Sequence, residues 1–227
     1  MTEYSFTWLI WCRVLTAAFF LAQGFHTVAE AKIVIDDGQR HVIDDTESIF
    51  SDGVELDLGI FQDPSTHFDL VEGGSLLGLG VHGNATVTMT GGEVETDIVV
   101  TDNARVTISG GSIGARLANF SDNFIYLNGT GFQVVDQAGI ETDLHYGDSL
   151  SDYVPFVQEV EFGIATNYYT GTIRGVLADG SIINNRFDIF RNSTFGGSGD
   201  IIVLPEPGTL ILLSLGGFLF RRETVRR

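Results

Sequence analysis

Paired carboxylates are the most abundant chemistry-bearing feature of this chain: Asp36 with Asp37, Asp44 with Asp45, and Asp57 with Asp69. Glycoside hydrolysis uses two such groups, one as acid and one as base or nucleophile, held at a fixed separation inside a cleft. Proximity in sequence supplies neither cleft nor separation, so these pairs read as a solvated acidic surface. A polysaccharide lyase would want cations to neutralise an acidic sugar, and only Arg105 and Arg116 fall in the repeated part of the chain. The histidines at 41, 67, 82 and 145 are scattered, without the His-x-His or His-Glu-x-x-His spacing of a zinc or copper site. Clustered Asp oxygens favour calcium, but the stretch DNARVTISGG from Asp102 lacks the G-G-x-G-x-D repeat of calcium-binding β-rolls. GGSLLG, GGSIG and GGSGD all miss the spacing of a G-x-S-x-G nucleophile elbow. The only cysteine is Cys12, which excludes a disulfide and leaves no thiol chemistry beyond that first segment. The expectation is a protein that is not an enzyme and needs no cofactor, calcium being the one cation its composition suits. The alternative is a carbohydrate-active enzyme, a polysaccharide lyase or glycosidase, on the same scaffold.

Elements that must carry these residues are bounded by composition. The 227 residues are 44% apolar, enough for a core, and 28 glycines against 4 prolines suit regular turns better than a flexible tract. The formal charge is −18, and residues 32–204 hold 26 acidic side chains against 7 basic ones, while four arginines crowd the last seven positions. Such a body repels phosphate backbones and anionic lipid, which excludes nucleic acid as a partner.

Both ends read as addresses. Near the N-terminus Arg13 precedes an apolar stretch from Val14 to Ala22, and Ala29-Glu30-Ala31 places small residues at the −3 and −1 positions of a signal-peptidase cut. The stretch is shorter than the about 20 residues a membrane span needs. The expected mature chain therefore starts near Lys32, outside the cytoplasm. At the other end, Pro205, Glu206 and Pro207 form an extended, accessible triplet with no regular backbone pairing. Gly208 to Phe220 carries no charge, and Arg221 and Arg222 follow at once as a positive-inside stop. This tail resembles the PEP-CTERM sorting signal, whose parts occur here in the right order over about 23 of the 227 residues. The resemblance implies recognition by an exosortase, removal of the tail, and delivery to the cell surface or an exopolysaccharide matrix after a transient stop in the inner membrane. The 13-residue apolar run would span only about 20 Å, short of a full crossing.

Between the addresses lies a repeat. Units beginning at Asn84, Asn103 and Asn123 each alternate apolar and polar residues (Val87, Met89; Val106, Ile108; Phe124, Tyr126) before a glycine corner at Gly91-Gly92, Gly110-Gly111 or Gly129. Alternation specifies strand, and paired glycines specify a corner with positive φ. Weaker copies lie upstream around Gly73-Gly74 and from Gly53. Thr88, Thr90, Thr107 and Ser109 then face outward, and the three asparagines either stack or serve turn chemistry. A period of about 20 residues built of short strands is the pattern of a stacked solenoid. The units are also similar to the glycine-cornered solenoid repeats of large surface and adhesin-like proteins, a resemblance that implies a parallel β-helix and no particular activity. Ala178-Asp179-Gly180 is a hairpin turn between two β-type runs.

The expected organisation is all-β: a signal peptide over 1–31, a short right-handed parallel β-helix of four to five rungs over 32–138, a β-rich cap and linker over 139–204, and the sorting signal with its hydrophobic helix over 205–227. The expected function is an exported surface or extracellular-matrix protein. Its partners would be signal peptidase, exosortase, exopolysaccharide or surface glycans, and the membrane through its tail before processing.

Overall fold

The computed structural model describes residues 33–44, 53–56, 65–161, 164–191 and 198–205. The expected signal peptide, with Ala29 and Ala31, lies outside them, as do Glu206, Pro207, Arg221, Arg222 and the apolar run of the tail. Among the described residues sixteen strands form one all-β sheet system of mixed topology. They are β1 (Ile33–Ile35), β2 (Arg40–Ile43), β3 (Gly53–Leu56), β4 (His67–Leu70), β5 (Ser75–Leu76), β6 (Gly78–Val81), β7 (Thr86–Val94) and β8 (Ile98–Asp102). The remainder are β9 (Arg105–Ile113), β10 (Arg116–Ser121), β11 (Ile125–Val135), β12 (Glu141–Asp143), β13 (Phe156–Glu161), β14 (Ile164–Leu177), β15 (Ile182–Arg191) and β16 (Ile201–Pro205).

Two parallel ladders organise them. One runs β2, β4, β7, β9, β11, β16; the other runs β1, β3, β6, β8, β10, β15. Inward positions stack in columns because side chains alternate along each strand. In the first ladder Phe68, Val87, Val106, Ile125 and Ile201 are successive register partners, and Leu70, Met89, Ile108, Leu127 and Val203 form the next column. In the second ladder the column is Val54, Leu79, Ile98, Leu117 and Phe187. All are buried, none more than 2% exposed, and each such side chain contributes roughly 1.5–3 kcal/mol on leaving water. A third, short ladder links Leu76, Val94 and Ile113 beyond the glycine corners.

The middle of the stack advances by a constant step: Phe68, Val87, Val106 and Ile125 are evenly spaced in sequence and each is the register partner of the one before. This spacing corrects the third unit of the repeat. Counting from Asn123 makes Phe124 and Tyr126 the inward pair, whereas Ile125 and Leu127 are fully buried and Phe124 and Tyr126 are half-buried on the outer side. One extra residue ahead of Asn123 moves it off the register, and with a side-chain period of two a single step exchanges the faces. The corner glycines obey the same rule: Gly73, Gly92 and Gly111, all with positive φ, follow one another at the same step. Asn123 reaches the preceding turn through its Nδ2, which donates to the backbone oxygen of Asn103 at 2.5 Å.

β11 leaves the stack halfway along its length. Its register with β14 shifts between Thr130 and Gln133, and its C-terminal half pairs antiparallel with β12 and β14. β14 continues into β13 on one side and into the expected hairpin with β15 on the other, turning through Ala178–Gly180. The residues expected to form a cap therefore do more than cap, because β15 rejoins the second ladder beside β10 and β16 rejoins the first beside β11. Pro205 corrects a further expectation: it is the last residue of β16, in register with Gly129. A proline can close a strand because no backbone donor is needed from its nitrogen there.

Polar groups close the core. Asn119 occupies an inward position opposite Val100 and Ile189, 1% exposed. Its Nδ2 donates to the carbonyls of Asn123 and Asp200 at 3.0 and 2.9 Å, and its Oδ1 accepts from the Ser121 N–H and hydroxyl. Every polar atom of the amide is thereby satisfied, which removes the cost of burying it. At the opposite end His41 stands opposite Phe68, its Nε2 within 3.0 Å of Asp37 Oδ1.

Gly111 tests how tightly the corners stack. At φ +90, an added Cβ would lie 2.5 Å from the Gly91 oxygen and 2.6 Å from that of Gly92, whereas at Gly180, also near φ +90, it meets nothing within 4 Å. Gly180→Ala should cost only the left-handed strain of about 1–2 kcal/mol, and Gly111→Ala clearly more. Urea midpoints measure both, and equal losses would mean the corners are not in close contact.

Candidate functional site

Polar side chains on the outer faces are aligned by the same registers that align the core. Arg40, His67 and Thr86 are successive partners across β2, β4 and β7. His67 Nδ1 lies 2.7 Å from Thr86 Oγ1 and its Nε2 3.1 Å from Asp69 Oδ1, while Asp69 Oδ2 accepts from Arg40 Nε at 2.5 Å. The second ladder repeats the device: His82 Nδ1 is 2.7 Å from Thr101 Oγ1, and its Nε2 pairs with Glu55. Hydroxyl, imidazole and carboxylate are the groups of a hydrolytic triad, which also requires oxyanion donors aimed at a bound substrate. Here His67 and Asp69 share β4 and reach Thr86 on β7 and Arg40 on β2, and His82 lies between Thr101 of β8 and Glu55 of β3, so what the geometry accounts for is a polar tie between neighbouring strands.

A charged face lies over β8, β10, β15 and β14. Arg116 donates through Nε and Nη2 to Asp97 at 3.2 and 2.7 Å and through Nη1 to Asp188 at 3.2 Å. Burial would lower the Arg116 pKa, but the two carboxylates outweigh it and raise it. Arg186 donates through Nε and Nη2 to Asp188 Oδ1 at 3.2 and 3.0 Å. Nearby, Arg174 reaches Glu141 at 2.6 Å and Asn184 at 3.2 Å.

Two further carboxylates position the antiparallel strands. Asp179, in the hairpin turn, accepts from the Gly111 N–H at 2.8 Å and from the Ser181 N–H and hydroxyl at 2.8 and 2.6 Å. Its carboxylate fills the space a side chain at Gly110 would need. Asp200 is fully buried and accepts from Arg191 Nη2, the Ile201 N–H and the Ser151 hydroxyl. Burial pushes its pKa up despite these bonds. An open cavity of about 260 Å³ is lined by Gly131, Phe132, Leu144, His145 and Tyr146. Beside it Tyr153 donates to Asp148 at 2.6 Å, which holds that carboxyl below the usual range and raises the phenol.

Asp37 serves His41, Asp69 serves His67 and Arg40, and Asp45 and Asp57 lie outside the described residues. Arg105 begins β9 on the first ladder, whereas Arg116 joins the charged face. Of the sorting residues only Pro205 is described. Spacing alone misses the histidine ties, because their partners sit on neighbouring strands: Thr86 and Thr101 lie 19 residues beyond His67 and His82. Among the described residues no group of three or more His, Cys, Asp or Glu is placed to hold a metal ion, and no helix is long and apolar enough to cross a membrane. Comparisons with protein-family models, curated proteins and solved structures find no match.

Asp179 carries a pH prediction. Burial would raise its pKa, but the hydrogen bonds from Ser181 and Gly111 outweigh that and hold it below the usual carboxylate range. Its contribution is complete above about pH 4, the unfolded value, and is lost as pH falls through the lowered folded value. Asp200, raised by burial, acts in the opposite sense: its contribution is present below about pH 4 and lost as pH rises through its folded value. Asp179→Asn should therefore flatten the acid side of the stability curve, so that the native chain loses more Tm than the variant between about pH 5 and pH 2. Parallel curves would show that this carboxylate does not tie the hairpin to the glycine corner.

Proposed function

We propose that this is an exported cell-surface or extracellular-matrix protein with a structural or interaction role, whose body is a short parallel β-helix. On this reading signal peptidase cuts after Ala31, and an exosortase recognises Pro205, Glu206 and Pro207, with Arg221 and Arg222 as the stop. The observation that carries it is the sequence of the tail together with its place in the fold: β16 pairs with β11 up to Gly129 and Pro205, and the triplet begins where that pairing ends. The middle of each ladder advancing by a constant step, with apolar columns inside and Thr88, Thr107 and Ser109 outside, supports the β-helix. Rows of hydroxyls repeated from strand to strand suit contacts with glycans or their attachment.

One observation favours a carbohydrate-active enzyme as the second reading: Asp97 and Asp188 flank Arg116 on one face. Both carboxylates spend oxygens on that guanidinium, and a general acid or base needs its oxygen turned to the substrate. Binding is therefore the better account of this cluster.

The test is the intact mass of the protein recovered from surface and membrane fractions, for the native chain and for Pro205→Ala/Glu206→Ala/Pro207→Ala. The native form should lose its tail and gain the mass of an attached group, while the variant keeps the tail. An uncut chain in both would make the tail a plain anchor and overturn the sorting reading.

A further inference from the structure

Every arginine but one among the described residues is held by a carboxylate: Arg40 by Asp69, Arg116 by Asp97 and Asp188, Arg174 by Glu141, Arg186 by Asp188, and Arg191 by Asp200. Arg105 is the exception. It is exposed at the start of β9 and has no acidic partner among the described residues. In a chain with 30 acidic side chains against 12 basic ones, an unmatched guanidinium is a rare surface donor.

The register of the first ladder sets what stands beside it. Arg105 pairs with Thr86 on one side, and on the other stands Phe124, the residue before Ile125, which is the partner of Val106. In the next outward row Thr88, Thr107 and Tyr126 are successive partners across β7, β9 and β11. The rings of Phe124 and Tyr126 lie 6.0 Å apart between centroids, tilted by 50°. Among the described residues the hydroxyls of Thr88, Thr107 and Tyr126 have no hydrogen-bond partner, whereas Thr86 and Thr101 are joined to histidines and Asp69 to Arg40. Uncommitted donors and acceptors thus collect beside an aromatic pair on the outer face of one ladder.

We propose that this patch binds a straight, neutral polysaccharide. One sugar ring lies on Phe124 and Tyr126, the following rings cross β9 and β7 with their hydroxyls on Thr107 and Thr88, and Arg105 donates to oxygens at the ring edge. The choice of a glycan rests on the surface-protein reading; the uncommitted patch itself does not. A sugar ring joins an apolar C–H face to a rim of hydroxyls, so it calls for an aromatic surface flanked by groups that both donate and accept, as threonine and tyrosine hydroxyls do. A polyanion is repelled by a chain of net charge −18, which a single guanidinium does not offset. An apolar protein surface would bury the threonine hydroxyls and the guanidinium without partners, at a cost that a glycan avoids by hydrogen-bonding them. A sugar ring is about as wide as the roughly 4.8 Å between strands. Successive rings of a straight chain therefore meet successive strands, and a curved chain leaves the face after a ring or two.

Calorimetry on the purified full-length chain, in mild detergent, compares cellohexaose, a straight neutral glucan, with maltohexaose, its curved isomer, at low and moderate salt. Cellohexaose should bind with an affinity that salt leaves unchanged, and maltohexaose should bind clearly more weakly. Tyr126→Ala should weaken cellohexaose about tenfold, the upper range of one aromatic contact. Thr107→Val and Arg105→Ala should each weaken it about fivefold, the value of one hydrogen bond. Phe156→Ala, which removes an exposed aromatic on β13, should leave it unchanged. Thr107→Val keeps the branched shape of the side chain, so an equal urea midpoint separates lost binding from lost folding even where Tyr126→Ala unfolds. No binding of cellohexaose, equal binding of maltohexaose, binding that falls away as salt rises, or unchanged binding in Thr107→Val and Arg105→Ala would each overturn the proposal. A chain that is processed but ignores cellohexaose sinks this inference alone, and one that binds it but is never processed sinks the sorting reading alone.

Discussion

A strand in a parallel ladder satisfies its backbone only through the strands on either side, and its inward side chain is buried only by the same position of its neighbours. Everything else in this protein follows from that dependence. The columns from Phe68 to Ile201 and from Leu70 to Val203 exist because each unit of the stack repeats the choice of its predecessor at the partnered position. Corners are constrained as tightly as strands. Gly92 and Gly111 combine positive φ with a close approach to the corner before, so a side chain there would push successive units apart.

The polar groups inside the stack tie it to the strands that return to it. Asn119 interrupts an apolar column of the second ladder between Val100 and Ile189, and its amide is spent on Ser121, Asn123 and Asp200. Asp200 in turn gathers Ser151 and Arg191. The antiparallel excursion from β11 to β15 is fastened by Asp179 to the glycine corner at Gly111, so the two kinds of sheet share one hydrogen-bonded joint. The same registers arrange the outer face. Rows such as Arg40, His67 and Thr86, or Arg116 and Arg186, are lateral neighbours because their backbones are partners, whatever their distance in sequence.

Much of the architecture is legible in the chain. Alternation marks Val87, Met89, Val106 and Ile108 as inward, paired glycines mark the corners, and Ala178-Asp179-Gly180 marks the hairpin; all have the expected place. The third unit reads one residue out of register, because Asn123 lies one residue beyond the constant step that Val106 and Ile125 keep. The proline triplet predicts an end to pairing, and Pro205 instead closes β16. The histidine ties and the arginine face are invisible beforehand, since spacing within one strand carries no sign of them.

Everything readable from the residues alone is local in origin: strand and corner positions, the period, the acidic charge and the two terminal patterns. These depend on side-chain alternation, glycine's conformational freedom and composition, which operate over a few residues. Folding in three dimensions was needed to bring β15 and β16 back to the ladders, Phe187 beside Leu117 and Ile201 beside Ile125. It also placed Arg116 beside Arg186 and Asp179 on Gly111. Those are pairings between segments far apart in the chain, and their energy comes from contacts that do not exist until the intervening chain has folded.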